Sequence, residues 1–301
     1  PVSVSQAGLI RLSGPARAVA LDVLRVNSLQ TGAYVSHFRG RGMEFDESRV
    51  YQPGDDPRNM DWRVTARSGQ PHVKLFREER ERPVWLLVDR GTSMRFGTRV
   101  AFKSVIVARA AALLAWAAAD QGDRVGGLVF DETRSYQRQP AVGNRGVLPL
   151  LKALSQDPLP GSDTGYRSLS LAAQFLLGSV RPGSLVILLS DFTGLDADSS
   201  DWLIQLTRGN EVVMIHTYDP LETAAPPAGR YPVTDGVRRA VLDCAAPRLR
   251  SAWSQRFADH VALLEAICLR HRAHLIGLRT DQPVGESLSA GLQPRQGRGG
   301  I

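Results

Sequence analysis

Val84-Trp85-Leu86-Leu87-Val88-Asp89-Arg90-Gly91-Thr92-Ser93 decides the fold of this chain. Five apolar residues in a row, without polar alternation, read as a strand buried on both faces, the habit of parallel sheets covered by helices. An aspartate and a serine just past the strand's carboxyl end are hard oxygen ligands aimed at the crevice where open α/β sheets keep their sites. Working outward, apolar β-branched runs recur at 124 to 130, 184 to 190, 211 to 217 and 274 to 279. Helical patterns fill the intervals at 99 to 120, 145 to 155, 168 to 180, 200 to 208 and 247 to 272. Strand and helix in alternation predict an α/β fold, a mostly parallel Rossmann-type sheet flanked by helices. The runs at 84 and 184 both end in aspartate, Asp89 and Asp191.

Two segments stand outside that alternation. Residues 1–83 hold a short helical pattern near Pro15 to Ser28, then a polar stretch dense in Gly, Arg, Asp and aromatic residues; they are expected to form an irregular, β-containing N-terminal element. Residues 219–243 read as a Pro-rich insertion with a hairpin around Thr234-Asp235-Gly236. The domain expectation is therefore 1–83, a sheet domain at 84–280 carrying that insertion, and a flexible Gly/Gln/Arg-rich tail at 281–301.

Composition excludes several classes. A hydrophobic content of 43% with 22% charged residues is that of a globular chain, and no window reaches the roughly eighteen apolar residues of a membrane span. Without a basic start and apolar core at Pro1 to Gly14, the cytoplasm is the expected compartment. The net charge of +7 invites a nucleic-acid reading. Its distribution argues against one: acids interleave with bases, as in Arg77-Glu78-Glu79-Arg80-Glu81-Arg82, which reads as a solvated edge leading into the first core strand. Of 37 basic residues only Lys74, Lys103 and Lys152 are lysine. Cys244 and Cys268 match no metal or disulfide spacing and read as buried free thiols, and the histidine pair His271 and His274 lacks a third zinc ligand. No phosphate-cradling loop or nucleophile elbow is present.

The stretch Gly40 to Thr98 resembles the family called domain of unknown function 58. Tyr51, Gly54, Asp55, Asp56, Asp61, Trp62, Thr65, Ala66 and Arg67 match its Tyr-x-x-Gly-Asp-Asp, Asp-Trp and Ser/Thr-Ala-Arg elements. That family is similar to von Willebrand factor A domains, whose adhesion site sets an Asp-x-Ser-x-Ser motif, a distant threonine and a distant aspartate around a divalent cation. The resemblance implies a Mg²⁺ or Mn²⁺ site built from Asp89, Ser93 and Asp191, with Thr164 or Ser168 at the middle position. Gly91 stands where the first serine belongs and brings no hydroxyl. A working metal site and a degenerate, metal-free one both remain open. In the second case the two aspartates need another cation beside them, and Arg90, Arg95 or Arg167 is the expected counterion.

The set Asp55, Asp56, Arg58, Asp61, Trp62, Arg63 and Arg67 places charges around one indole, either as a buried salt-bridged turn or as a partner-docking surface. The resemblance implies a non-enzymatic adaptor for a MoxR-type AAA+ ATPase in chaperone-like maturation of client proteins. The alternative is a divalent-metal-dependent hydrolase or nuclease using Asp89, Asp191 and Asp196.

Overall fold

The computed structural model describes residues 1–21, 43–52, 55, 57–78, 81–157, 159, 165, 168–195, 201–234 and 239–293. In chain order its helices are α1 (Gln6–Ile10), α2 (Ser13–Ala16), α3 (Trp62–Ser68), α4 (Lys103–Asp120), α5 (Asn144–Ser155), α6 (Leu169–Leu177), α7 (Asp201–Thr207), α8 (Pro220–Thr223), α9 (Pro247–His271) and α10 (Val284–Leu292). The strands are β1 (Met43–Val50), β2 (His72–Glu78), β3 (Pro83–Asp89), β4 (Arg124–Phe130), β5 (Ser135–Val142), β6 (Leu185–Ser190), β7 (Glu211–Tyr218), β8 (Arg230–Thr234), β9 (Arg239–Asp243) and β10 (His274–Arg279). They fall into two compact units, one of Pro1–Thr31 with Arg82–Ile301 and one of Gly32–Glu81.

The larger unit is a six-stranded sheet in the order β10-β7-β6-β3-β4-β5, parallel throughout except for the antiparallel β4–β5 pair. Alternate residues of each strand feed two separate cores. Leu86, Val88, Ile187, Leu189 and Ile215 face α4, α5 and α10, whereas Trp85, Leu87, Leu188 and Met214 face α6, α7 and α9. Helix α4 is apolar nearly all round because it lies buried under the sheet's centre. At Gly127 the β3 backbone approaches so closely that a Cβ would fall 2.3 Å from the Leu86 carbonyl oxygen.

Four details depart from the sequence reading. Strand β5 was hidden, because Ser-Tyr-Gln-Arg-Gln-Pro-Ala-Val carries neither an apolar run nor clean alternation and is an edge strand. Of the expected N-terminal element, residues 1–21 join the sheet unit: Leu9, Ala16, Val19 and Leu21 are in its core. Their helical turns come earlier than Pro15 to Ser28, whose remainder from residue 22 lies outside the described residues. The tail is not wholly flexible, since α10 buries Leu288 and Leu292, and His274 Nε2 lies 2.7 Å from the Gly291 carbonyl oxygen. Arg82, expected at a solvated edge, is 11% exposed and sits 3.1 Å from Glu211 and 3.5 Å from Asp123. The insertion carries the expected hairpin as β8–β9, its turn lying outside the described residues. Cys244 and Cys268 are buried and free, and Cys268 Sγ donates to Met214 Sδ.

The smaller unit pairs β1 with β2 antiparallel, with a bulge between Phe45 and Glu47. Asp61 caps α3 by accepting from the Arg63 and Val64 amides, and Gly69 at φ 73 ends it in the left-handed conformation. Among the described residues no helix is long and apolar enough to cross a membrane.

Candidate functional site

Parallel pairing of β3 with β6 sets their carboxyl ends side by side, which brings Asp89 and Asp191 into one crevice. Asp89 is buried and both its oxygens are engaged: Ser190 Oγ donates to Oδ2 (2.7 Å) and the Gly91 amide to Oδ1 (2.8 Å). Burial pushes its carboxyl up to about 6, reinforced by the charges of Asp191 and Glu132 and opposed by the two hydrogen bonds. Glu132 approaches from the loop after β4 and accepts from the Thr92 amide (2.6 Å).

Asp191 has a different partner. Lys103 Nζ donates to its Oδ2 at 2.8 Å and to Glu222 Oε1 at 2.7 Å, from a side chain only 2% exposed. The Thr193 amide donates to Asp191 Oδ1 (3.0 Å), and the nearby Ser93 side chain adds a smaller pull in the same direction on that carboxyl's pKa. Burial alone would raise the Asp191 pKa, yet the ammonium and these bonds outweigh it and hold the carboxyl below its ordinary value. Burial likewise opposes the charge on Lys103, and Asp191 and Glu222 reverse that, keeping the amine above its usual range. Glu222 is itself positioned by α8, where its second oxygen accepts from the Asp219 amide in a capping box. Past Asp191 the backbone turns sharply: Phe192 takes φ 54, a left-handed value uncommon for a bulky residue, and its amide donates to Ser190 Oγ.

The expected arginine counterions are elsewhere, and a lysine stands in their role. Arg90 donates to the Ala153 and Gln156 carbonyls at the end of α5, Arg95 lies 3.7 Å from Asp157, and Arg167 is outside the described residues. Lys103 had a signal in the sequence. A cation in the first turn of a helix opposes the macrodipole, and a lysine opening a mostly apolar, Ala-rich helix requires an acidic neighbour once buried. Ser168 spends its hydroxyl as the N-cap of α6, accepting from the Leu171 amide, and Thr164 lies outside the described residues.

As they stand, these residues do not fit a divalent cation. An ammonium occupies one Asp191 oxygen, hydrogen-bond donors occupy both oxygens of Asp89, and Gly91 has no ligand to give. Among the described residues no group of three or more His, Cys, Asp or Glu is placed to hold a metal.

In the smaller unit, Arg49 pairs with Asp55 (2.6 Å), Ser48 Oγ donates to Asp61 Oδ2 (2.8 Å), and Asp56 lies outside the described residues. The Gln52 amide, then the Arg49 guanidinium, hold Asp55 below its ordinary pKa against burial. The indole is not buried among these charges. Trp62 is 69% exposed on α3, beside exposed Arg63 and Arg67.

Residues 47–262 match the family described as "Protein of unknown function DUF58", a span that includes the Tyr51 to Arg67 element and both aspartates. The chain belongs to the DUF58 family. Similar relatives include "Uncharacterized protein Rv1480" of Mycobacterium tuberculosis (strain ATCC 25618 / H37Rv), 30% identical over 94% of this chain and 91% of that one. "Uncharacterized protein Mb1516" of Mycobacterium bovis (strain ATCC BAA-935 / AF2122/97) matches to the same extent, 30% identical over 94% of this chain and 91% of its own length. Among solved structures, this DUF58 chain is similar to the conserved hypothetical protein BatB from Bacteroides thetaiotaomicron at TM-score 0.41 and 16% identity, covering 70% of this chain and 97% of that one. An aerotolerance-related membrane protein from Bacteroides fragilis NCTC 9343 gives TM-score 0.40 and 14% identity, over 69% and 96%.

Proposed function

We propose that this protein is a non-enzymatic interaction module, a von Willebrand factor A-like domain that engages a MoxR-type AAA+ ATPase in the cytoplasm and assists maturation of client proteins. The observation that supports this most is the convergence of Asp89, Ser93 and Asp191 at neighbouring strand ends, in a crevice whose two carboxylates are held in place by hydrogen bonds and by the Lys103 ammonium. Such an arrangement suits fixed recognition rather than bond breaking. A hydrolase or nuclease reading has less support, because the carboxylates it would use are engaged by Ser190 and Lys103, and Asp196 lies outside the described residues. The test is calorimetry of the purified protein against a MoxR-type ATPase. Asp89→Ala and Asp191→Ala are expected to lose binding while the far-UV spectrum is kept; unchanged affinity removes the crevice from the interaction.

A second docking surface is favoured by one observation, the 69% exposure of Trp62 beside two arginines. Exposed Trp and Arg are the residue types that anchor protein interfaces. If α3 carries the contact, Trp62→Ala weakens partner binding and the crevice variants do not.

A further inference from the structure

Two carboxylates brought to adjacent strand ends require a positive charge nearby, or one of them must stay protonated. We infer that the crevice is metal-independent: Lys103 is a resident cation that takes the role of a divalent ion, and its removal uncovers a latent metal site.

Three features carry it. First, the ammonium is not a surface group that happens to lie close. It projects from the first residue of α4, a helix buried under the sheet, and bridges Asp191 Oδ2 and Glu222 Oε1 at 2.8 and 2.7 Å with 2% of its side chain exposed. Second, the strand-end turn is tight where the missing ligand would begin. A Cβ on Gly91 would meet Glu132 Oε1 at 3.0 Å and Asp89 Oδ1 at 3.1 Å, so carboxylate oxygens crowd the place where a serine side chain would begin. Third, the groups that Lys103 Nζ bonds are hard oxygens, the carboxylates of Asp191 and Glu222, with the centre of the Phe96 ring 5.9 Å away. Without the ammonium they become the donor set that Mg²⁺ and Mn²⁺ prefer, completed by water. In the protein as it is, one tethered positive charge satisfies those oxygens, and a free ion has to displace it.

The test uses Mn²⁺ alone, followed by loss of the free-ion electron paramagnetic resonance signal and by the melting temperature, with the full chain after treatment with EDTA. Wild-type protein is expected to leave the signal and the melting temperature unchanged. Lys103→Ala is expected to take up Mn²⁺ with a rise in melting temperature, and the Lys103→Ala/Asp191→Asn double variant to lose that uptake. Recovery of a poorly folded Lys103→Ala protein by Mn²⁺ supports the inference equally. Saturable uptake by wild type that Asp191→Asn abolishes overturns it, as does a folded Lys103→Ala protein that takes up none. Should Lys103→Ala fail to fold with or without Mn²⁺, the wild-type arm decides: no Asp191-dependent uptake upholds the resident cation, and such uptake refutes it.

Discussion

Replacing Lys103 with methionine keeps most of the length and the apolar, unbranched character of the stem and removes the ammonium. What remains is Asp191, its side chain 5% exposed, with the Thr193 amide as its surviving hydrogen-bond donor. Breaking a buried pair from one side costs about 3–5 kcal/mol, because the orphaned charge stays desolvated. Glu222, 32% exposed, can rehydrate, so the loss concentrates on Asp191 and falls at the low end, about 3 kcal/mol. For a unit of this size that corresponds to a fall in melting temperature of about 6–12 °C. The deficit depends on pH. In wild type the Asp191 pKa is held low chiefly by the ammonium acting against burial. In Lys103→Met burial acts with less opposition and the pKa rises, so protonation relieves the stranded charge and the gap to wild type narrows as pH falls. Urea unfolding of both proteins at pH 7.5 and pH 5 measures this, and the Lys103→Met/Asp191→Asn double variant should recover part of the loss at pH 7.5. A cost below about 1 kcal/mol at pH 7.5, or a deficit that does not shrink with acid, would refute the account of Lys103 as the counterion of a buried Asp191.

Two buried groups should shape the acid limb of stability in opposite directions. His216, surrounded by Phe192, Tyr218, Phe257 and His260, has its pKa pushed down to about 3, first by burial and then by His260. The unfolded chain therefore binds the extra proton, and about 2 kcal/mol is lost between pH 7 and pH 5. Asp89, pushed up to about 6, binds its proton in the folded state and returns about 1 kcal/mol over the same range. Urea midpoints should thus fall more steeply with acid in Asp89→Asn than in wild type and more shallowly in His216→Phe; equal slopes in all three would contradict both shifts. Leu288→Ala, which opens the core under α10, should cost about 2–5 kcal/mol by chemical denaturation, where a flexible tail would show no change. Gly91→Ser completes the serine pattern but should alter stability by no more than about 1 kcal/mol and confer no Mn²⁺ uptake while Lys103 is present, measured by unfolding and paramagnetic resonance.

Much of this molecule was legible from the chain alone. Strands buried on both faces advertise themselves as unbroken apolar runs, so β3, β4, β6 and β7 and the helices between them emerge from local pattern, and the edge strand β10 keeps enough apolar residues, Leu275, Ile276 and Leu278, to be read as well. Asp89 and Asp191 stood out because each ends such a run. Edge elements carry a weaker pattern: β5 and α10 each bury one side against the sheet unit, so their polar residues mask them. The partner of Asp191 was decided only in three dimensions. Parallel pairing of β3 and β6, the start of α4 and the capping box of α8 carry Asp89, Asp191, Lys103 and Glu222 to one crevice from four distant points in the chain. Local sequence determines which segments are buried and how they end. Which charge meets which carboxylate depends on where separate elements pack, and only the folded sheet sets that.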